Sequence, residues 1–196
     1  MSKPRMQVRA LPALACALGV IFTASLGQAA GYPLRRAPDF RLIDQRGKPF
    51  TLAQYRGRPI VLFFGYAHCP DVCPTILAKL KHARDTVAHA RDSVVALVTV
   101  DPRRDTAAVL GRFVGEFDPD FIGLTGASAQ LDRVYRAYHV KIINTIGDSD
   151  GYLVAHTAFV YYIDRAGRLS GFGTWDDPQP VLDEDLGKIA AAQRSP

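Results

Sequence analysis

Ile60-Val61-Leu62-Phe63-Phe64-Gly65 runs directly into Tyr66-Ala67-His68-Cys69-Pro70-Asp71-Val72-Cys73-Pro74. The first six residues carry no polar side chain and read as a strand buried on both faces, the pattern of a central strand. The second stretch turns into a helix, so Cys69 and Cys73 sit at a strand-to-helix junction. Unpaired amides and the helix dipole favour thiolate over thiol there. Four residues apart on an ideal helix, two Cα atoms lie about 6.2 Å from each other, against about 5.1 Å for a spacing of three. The wider figure is near the upper end of disulfide geometry, roughly 4.4–6.8 Å, so oxidation can close the pair, though less readily than a Cys-x-x-Cys pair. The angular offset is about 40° instead of about 60°, so both thiols face the same way. That arrangement suits a soft metal ion held between two sulfurs. Metal binding is the first reading and thiol–disulfide exchange the second. A purely structural disulfide ranks last, because so short a loop removes little unfolded-chain entropy.

The elements outward from this junction alternate. Phe40 and Leu42 face Phe50 and Leu52 across Asp44-Gln45-Arg46-Gly47-Lys48, a hairpin pattern. A helix from Pro74 places Ile76, Leu80, Ala83, Val87 and Ala90 on one side. Residues 94–100 form a second buried strand. A helix from Asp105-Thr106 to about Phe117, a short strand at residues 121–124 and a helix at residues 128–138 follow. Residues 157–164 and 169–172 pair through Arg165-Ala166-Gly167, and residues 178–192 close the domain as a helix. Strands alternating with helices, then a hairpin and a helix, predict an α/β thioredoxin-like sandwich over residues 33–194. Its central mixed sheet is flanked by helices and carries an extra N-terminal hairpin.

Residues 1–30 stand outside that domain. Lys3, Arg5 and Arg9 precede an uncharged apolar stretch at residues 11–26, and Gly27-Gln28-Ala29-Ala30 supplies small residues for cleavage. The segment reads as a signal peptide or as an uncleaved N-terminal membrane anchor, and either exports the domain to the periplasm. The chain has 24 Lys and Arg against 19 Asp and Glu, a net charge of +5. Three of the bases and no acid lie in the leader, leaving 21 bases against 19 acids, a net +2. A near-neutral domain gives no electrostatic case for nucleic acid, and contact with a membrane is expected only through an uncleaved anchor. Outside the cytosol the thiols oxidise unless metallated or kept reduced by a thiol-reducing partner.

Two thiolates want a third ligand. Among His68, His82, His89, His139 and His156, His82 and His89 are read on the outer face of the cysteine helix. About 10.5 Å apart along its axis, they cannot share an ion. His139 is read as a helix-end or surface group, and His68 as tuning its neighbour thiolate. His156 precedes the apolar strand Ala158-Phe159-Val160-Tyr161-Tyr162, and in a thioredoxin-like fold that loop faces the cysteine helix. A histidine beside a strand is also commonly structural, and the residues alone leave both roles open.

The stretch from Phe64 to Pro74 resembles the SCO/SenC family of exported copper-binding thioredoxin-fold proteins. Val100-Asp101-Pro102-Arg103-Arg104-Asp105-Thr106, the stretch from Phe117 to Gly126 and Tyr152-Leu153-Val154-Ala155-His156-Thr157-Ala158-Phe159 carry the same resemblance, in order, across nearly the whole domain. The resemblance implies copper, as Cu(I) and also Cu(II), on Cys69, Cys73 and His156. It implies a metallochaperone, with an accessory thiol–disulfide oxidoreductase activity left open, that serves the dinuclear copper centre of cytochrome c oxidase subunit II or a related recipient. The rival is a thiol–disulfide oxidoreductase that uses Cys69 and Cys73 to reduce the recipient's cysteines; peroxide reduction is a more distant option. One position departs: family members commonly carry an aspartate before the histidine, and here it is Ala155. That carboxylate would either orient the imidazole or serve as a surface charge for docking.

Overall fold

The structure, a computed structural model, describes residues 35–147 and 151–192. The leader, with its signal or anchor reading, lies outside them. Strands β1 (Arg35–Arg36), β2 (Arg41–Asp44) and β3 (Pro49–Thr51) open the chain, followed by a short 3-10 turn and β4 (Ile60–Gly65). Then come α1 (Val72–Thr86), β5 (Val94–Thr99), α2 (Ala107–Gly115), β6 (Ile122–Thr125) and α3 (Ser128–Ala137). The last part holds β7 (Ile142–Gly147), β8 (Tyr152–His156), β9 (Phe159–Ile163), β10 (Arg168–Thr174) and α4 (Gln179–Ala191).

Eight strands form one mixed sheet in the order β1-β10-β9-β4-β5-β6-β2-β3, with β4, β5 and β6 parallel and the other pairs antiparallel. Every residue of β4 and β5 is buried, as expected of central strands covered on both faces. The helices flank the sheet, α1 beside α4, α2 against β6 and α3 against β2. This is the thioredoxin-like sandwich that the alternation predicts, and the early hairpin β2–β3 extends one edge. The register Phe63↔Leu97, Phe64↔Val98, Gly65↔Thr99 brings the ends of β4 and β5 together, so the loops leaving both strands share one rim. A buried ion pair holds α1 to the turn before β6: Arg84 donates to Asp118 at 2.7 Å and to the Arg91 carbonyl at 3.1 Å, with its guanidinium 5.7 Å above the Phe121 ring.

Two details differ from the sequence reading. Helix α1 starts at Val72, before Pro74, and ends at Thr86. Proline is tolerated in a first turn because amides there have no partner in the helix. Val87 turns extended and His89 takes a left-handed φ of 62°, so His89 leaves the helix while His82 stays on its outer face. The second detail is β7–β8, an antiparallel hairpin in a sheet of its own, where the sequence reading had a loop. His156 is therefore a strand residue, paired with Ile142.

Candidate metal centre

Past Gly65 the chain turns sharply, and the Cys69 amide donates to the Tyr66 carbonyl at 3.3 Å. This folds the Cys69 sulfur back over the start of α1, where it accepts the Cys73 amide at 3.4 Å. The sulfur occupies the place of a helix cap, at the positive end of the dipole. Cys69 is half-buried, while Cys73, the second residue of the helix, is 0% exposed. Both are free cysteines, not joined in a disulfide.

The two sulfurs share one proton. The pKa of Cys69 falls to about 5, chiefly because the Cys73 thiol hydrogen-bonds to it; burial opposes this, and the Asp71, Cys73 and Val72 amides add to the drop. Cys73 moves far up, because it keeps its proton in that bond and because it is buried beside the Cys69 charge. One thiolate with a protonated partner is the resting state at neutral pH.

Asp105 supports the cysteine loop from behind. It accepts Thr99 Oγ1 at 2.6 Å and the Ala67 amide at 3.2 Å, and burial raises its pKa. His68, with its side chain 47% exposed, lies 3.6 Å from this carboxylate. Its partner is thus Asp105, not the neighbouring sulfur that the sequence reading assigned to it. His82, His89 and His139 are exposed, and His139 holds a left-handed turn at φ 55° after α3.

His156 ends β8 half-buried, its ring edge-on to Tyr66 with centroids 6.0 Å apart. Its Nδ1 lies 2.9 Å from the Thr157 carbonyl. A carbonyl only accepts, so Nδ1 carries the proton and Nε2 keeps its lone pair for a metal. Burial lowers the pKa of the imidazole, opposed by the Thr157 bond and by the negative charge of Cys69. The imidazole thus packs edge-on to the Tyr66 ring within reach of the Cys69 charge. Ala155 alternates to the opposite face of β8, on the side of the exposed Leu153. A side chain at 155 is not placed to orient the imidazole, and the Thr157 carbonyl supplies that orientation.

The cysteines and His156 share one rim without closing into a compact trio. Among the described residues, the trio whose ligand atoms all lie within 4.8 Å of one another is His68, Asp101 and Asp105. The oxygens of that trio are already engaged: Asp105 by Thr99 and Ala67, Asp101 by the Tyr152 hydroxyl at 2.7 Å and by Arg104. The sequence reading missed Tyr66, Asp101, Arg104 and Tyr152 as builders of this rim. The β-rich run Ile142-Ile143-Asn144-Thr145-Ile146, followed by the turn-prone composition Gly147-Asp148-Ser149-Asp150-Gly151, was the available sequence signal for the hairpin that carries Tyr152.

A sequence profile of the SCO1/SenC family matches residues 29–191. The chain belongs to the SCO1/SenC family. The SCO2-like protein of Rickettsia felis is 36% identical over 149 residues, spanning 74% of this chain and 73% of that one. Arabidopsis thaliana ScoI, solved with copper bound, has a TM-score of 0.73 at 33% identity and covers 78% of this SCO1/SenC chain and 96% of its own. Bradyrhizobium japonicum ScoI, also solved with copper bound, has a TM-score of 0.69 at 34% identity, covering 79% and 99%. Among the described residues no helix is long and apolar enough to cross a membrane.

Proposed function

We propose that this chain is an exported, periplasmic copper carrier, soluble or held at the inner membrane by its N-terminus. It delivers copper to the dinuclear centre of cytochrome c oxidase subunit II or to a related copper site. Cys69, Cys73 and His156 hold the cargo, two soft sulfurs with one imidazole, a donor set suited to Cu(I) and also able to take Cu(II). The observation that carries the reading is the pairing of an ionised Cys69 at the start of α1 with a neutral His156 whose Nδ1 is tied to the Thr157 carbonyl. Neutral imidazole and thiolate are the forms that ligate. Copper entry displaces the proton of Cys73 and draws β8 toward the cysteines. Release runs in reverse: ligands from two separate segments can be replaced one at a time by incoming thiols.

The acidity of Cys69 supports a second reading, reduction of the recipient's disulfide. The Cys69 thiolate would attack one recipient sulfur, forming a mixed disulfide and expelling the other as thiolate. Cys73 would then give up its proton and attack the Cys69 sulfur, closing Cys69–Cys73 and releasing a recipient carrying two thiols. A thiol-reducing partner would restore the pair. His156→Ala separates the two readings. The copper reading expects loss of recipient metallation in cells making normal levels of the variant, with the rate of reduction of a small aromatic disulfide kept within about tenfold. Full oxidase assembly by that variant without added copper would instead favour the reductase.

A further inference from the structure

The hairpin that carries His156 shares a hydrogen-bonded ladder with no other described strand. Beneath it lies a cavity of about 590 Å³, lined by Ile142, Thr145 and Val154 of the hairpin and by Leu131 and Tyr135 of α3. Of the hairpin, Val154 joins the buried core and Tyr152 packs against it, so contacts along the inner face of β8 locate the hairpin on the body. Residues two apart on a strand face the same way, so Tyr152, Val154 and His156 all point inward. The Val154 amide donates to the Tyr66 hydroxyl at 3.2 Å. At the far end, the Arg104 guanidinium lies 3.6 Å above the Tyr152 ring and 5.8 Å from the Tyr66 ring. Arg104 Nε also bonds Asp101, whose other oxygen accepts the Tyr152 hydroxyl at 2.7 Å. Arg104 Nη2 is buried without an acceptor among the described residues, so stacking together with the Asp101 bond fixes the guanidinium.

We infer that Arg104, with Asp101 and Tyr152, forms a clasp that positions His156 for the metal. It joins the β5–α2 loop to one end of β8, while the imidazole occupies the other end of the same inward face. Tyr66 stands between them, touched by Arg104, by the Val154 amide and by the His156 ring. Undoing the clasp leaves the cysteine pair intact at the start of α1 and frees the third ligand to wander. Arg104 is a positioning residue that acts through Tyr152 and never touches the ion. Lysine cannot replace it, because an ammonium lacks the planar face that stacks on a ring. The inference rests on the copper reading of Cys69, Cys73 and His156.

The test is a double-mutant cycle on the full-length reduced chain, with Cu(I) affinity measured by competition against a chromophoric chelator. Arg104→Gln is expected to weaken Cu(I) binding roughly tenfold, as losing a support of a metal ligand does. In a His156→Ala background the same change should have no further effect, since the ligand it positions is gone. Without any copper, Arg104→Gln should speed hydrogen exchange at the Val154 amide while leaving the alkylation rate of Cys69 unchanged. Equal losses in both backgrounds would mean general weakening of the fold and overturn the clasp; so would unchanged affinity with unchanged exchange. If His156→Ala alone leaves Cu(I) affinity intact, the ligand assignment itself fails and the clasp with it. Tyr152→Phe, which keeps the ring and drops the bond to Asp101, is scored on the same measurements if Arg104→Gln does not fold. There a smaller loss that vanishes without His156 sustains the clasp, and no loss refutes it.

Discussion

Replacing Gly65 by alanine tests how tightly the end of β4 is fitted around the cysteine pair. A Cβ at this position would lie 2.9 Å from the Cys73 sulfur and 2.7 and 3.0 Å from two atoms of the Phe63 ring. Ordinary carbon contacts begin near 3.5 Å, so both neighbours must retreat by more than about half an ångström. Phe63 and Cys73 are both 0% exposed, and the Phe63 ring is bulky and held inside the central strand. The Cys73 side chain is the softer neighbour, and it moves. Overfilling a packed core of this kind costs about 1–3 kcal/mol. For a domain of this size that lowers Tm by roughly 2–4 °C per kcal/mol. The chemical consequence is more specific than the loss of stability. Turning the Cys73 sulfur away weakens the bond that holds Cys69 near a pKa of about 5. The Cys69 pKa then rises, and its alkylation rate at pH 6 falls. The assay is the pH profile of iodoacetamide labelling, with Cys69 identified by mass spectrometry, beside thermal denaturation. A Gly65→Ala chain with both the parent Tm and the parent labelling profile would refute this account of the pair.

Other consequences are open to measurement. Because Cys69 is already ionised at pH 7 and Cys73 is not, binding one copper through both sulfurs should release about one proton, read with a pH indicator in weak buffer; release of two would place the proton on Cys69 as well. Arg84→Met removes the buried partner of Asp118, 1% exposed, leaving it only the exposed Arg91 at 3.8 Å, and should cost about 3 kcal/mol in urea denaturation. Because Arg84 lies away from the rim, folded Arg84→Met protein should keep its copper affinity, and a loss there would tie the pair to the site.

Much of the fold was legible because its central strands have no ambiguity: β4 is apolar throughout and β5 up to its last residue, Thr99, and their flanking turns are marked by Gly, Pro and Asp. The end of α1 was misread for a local reason. Val87 and Ala90 continue the helical spacing of apolar residues, but Val87 is partly buried and Ala90 fully buried from the turn that follows Thr86. Periodicity reports burial, and here burial outlasts the helix. The hairpin β7–β8 was missed because its Ile143, Ile146 and Leu153 are exposed, which blurs the alternation expected of a half-buried strand. At the site, the cysteines announce themselves by spacing and by their place after β4. His156 acquired its role from the family pattern, since nothing local distinguishes it from a structural histidine. The clasp could not be read at all: Tyr152 reaches Asp101 from 51 residues away, and Val154 reaches Tyr66 from 88.

The acidity of Cys69 does not choose between carrier and reductase, since a thiolate both ligates and attacks. The decision turns on what His156 would be doing in a reductase. Thiol exchange needs an accessible thiolate and a second thiol to resolve the mixed disulfide, and Cys69 and Cys73 already fill those roles without an imidazole. A half-buried histidine near a thiolate would assist exchange best as a cation, by stabilising the charge. Burial pushes its pKa the other way and keeps the ring neutral. A neutral ring is poorly suited to that task and well suited to donating a lone pair. The Thr157 carbonyl holds Nδ1, which leaves Nε2 as the nitrogen that can ligate. The same bond answers the question posed by Ala155. The support that a carboxylate could have given the imidazole comes from the backbone, which no substitution at 155 removes. Copper affinity should therefore be the same in Ala155→Asp as in the parent chain, within the scatter of a chelator competition. A large gain in affinity would mean that the carboxylate does reach the imidazole and that Thr157 alone does not orient it.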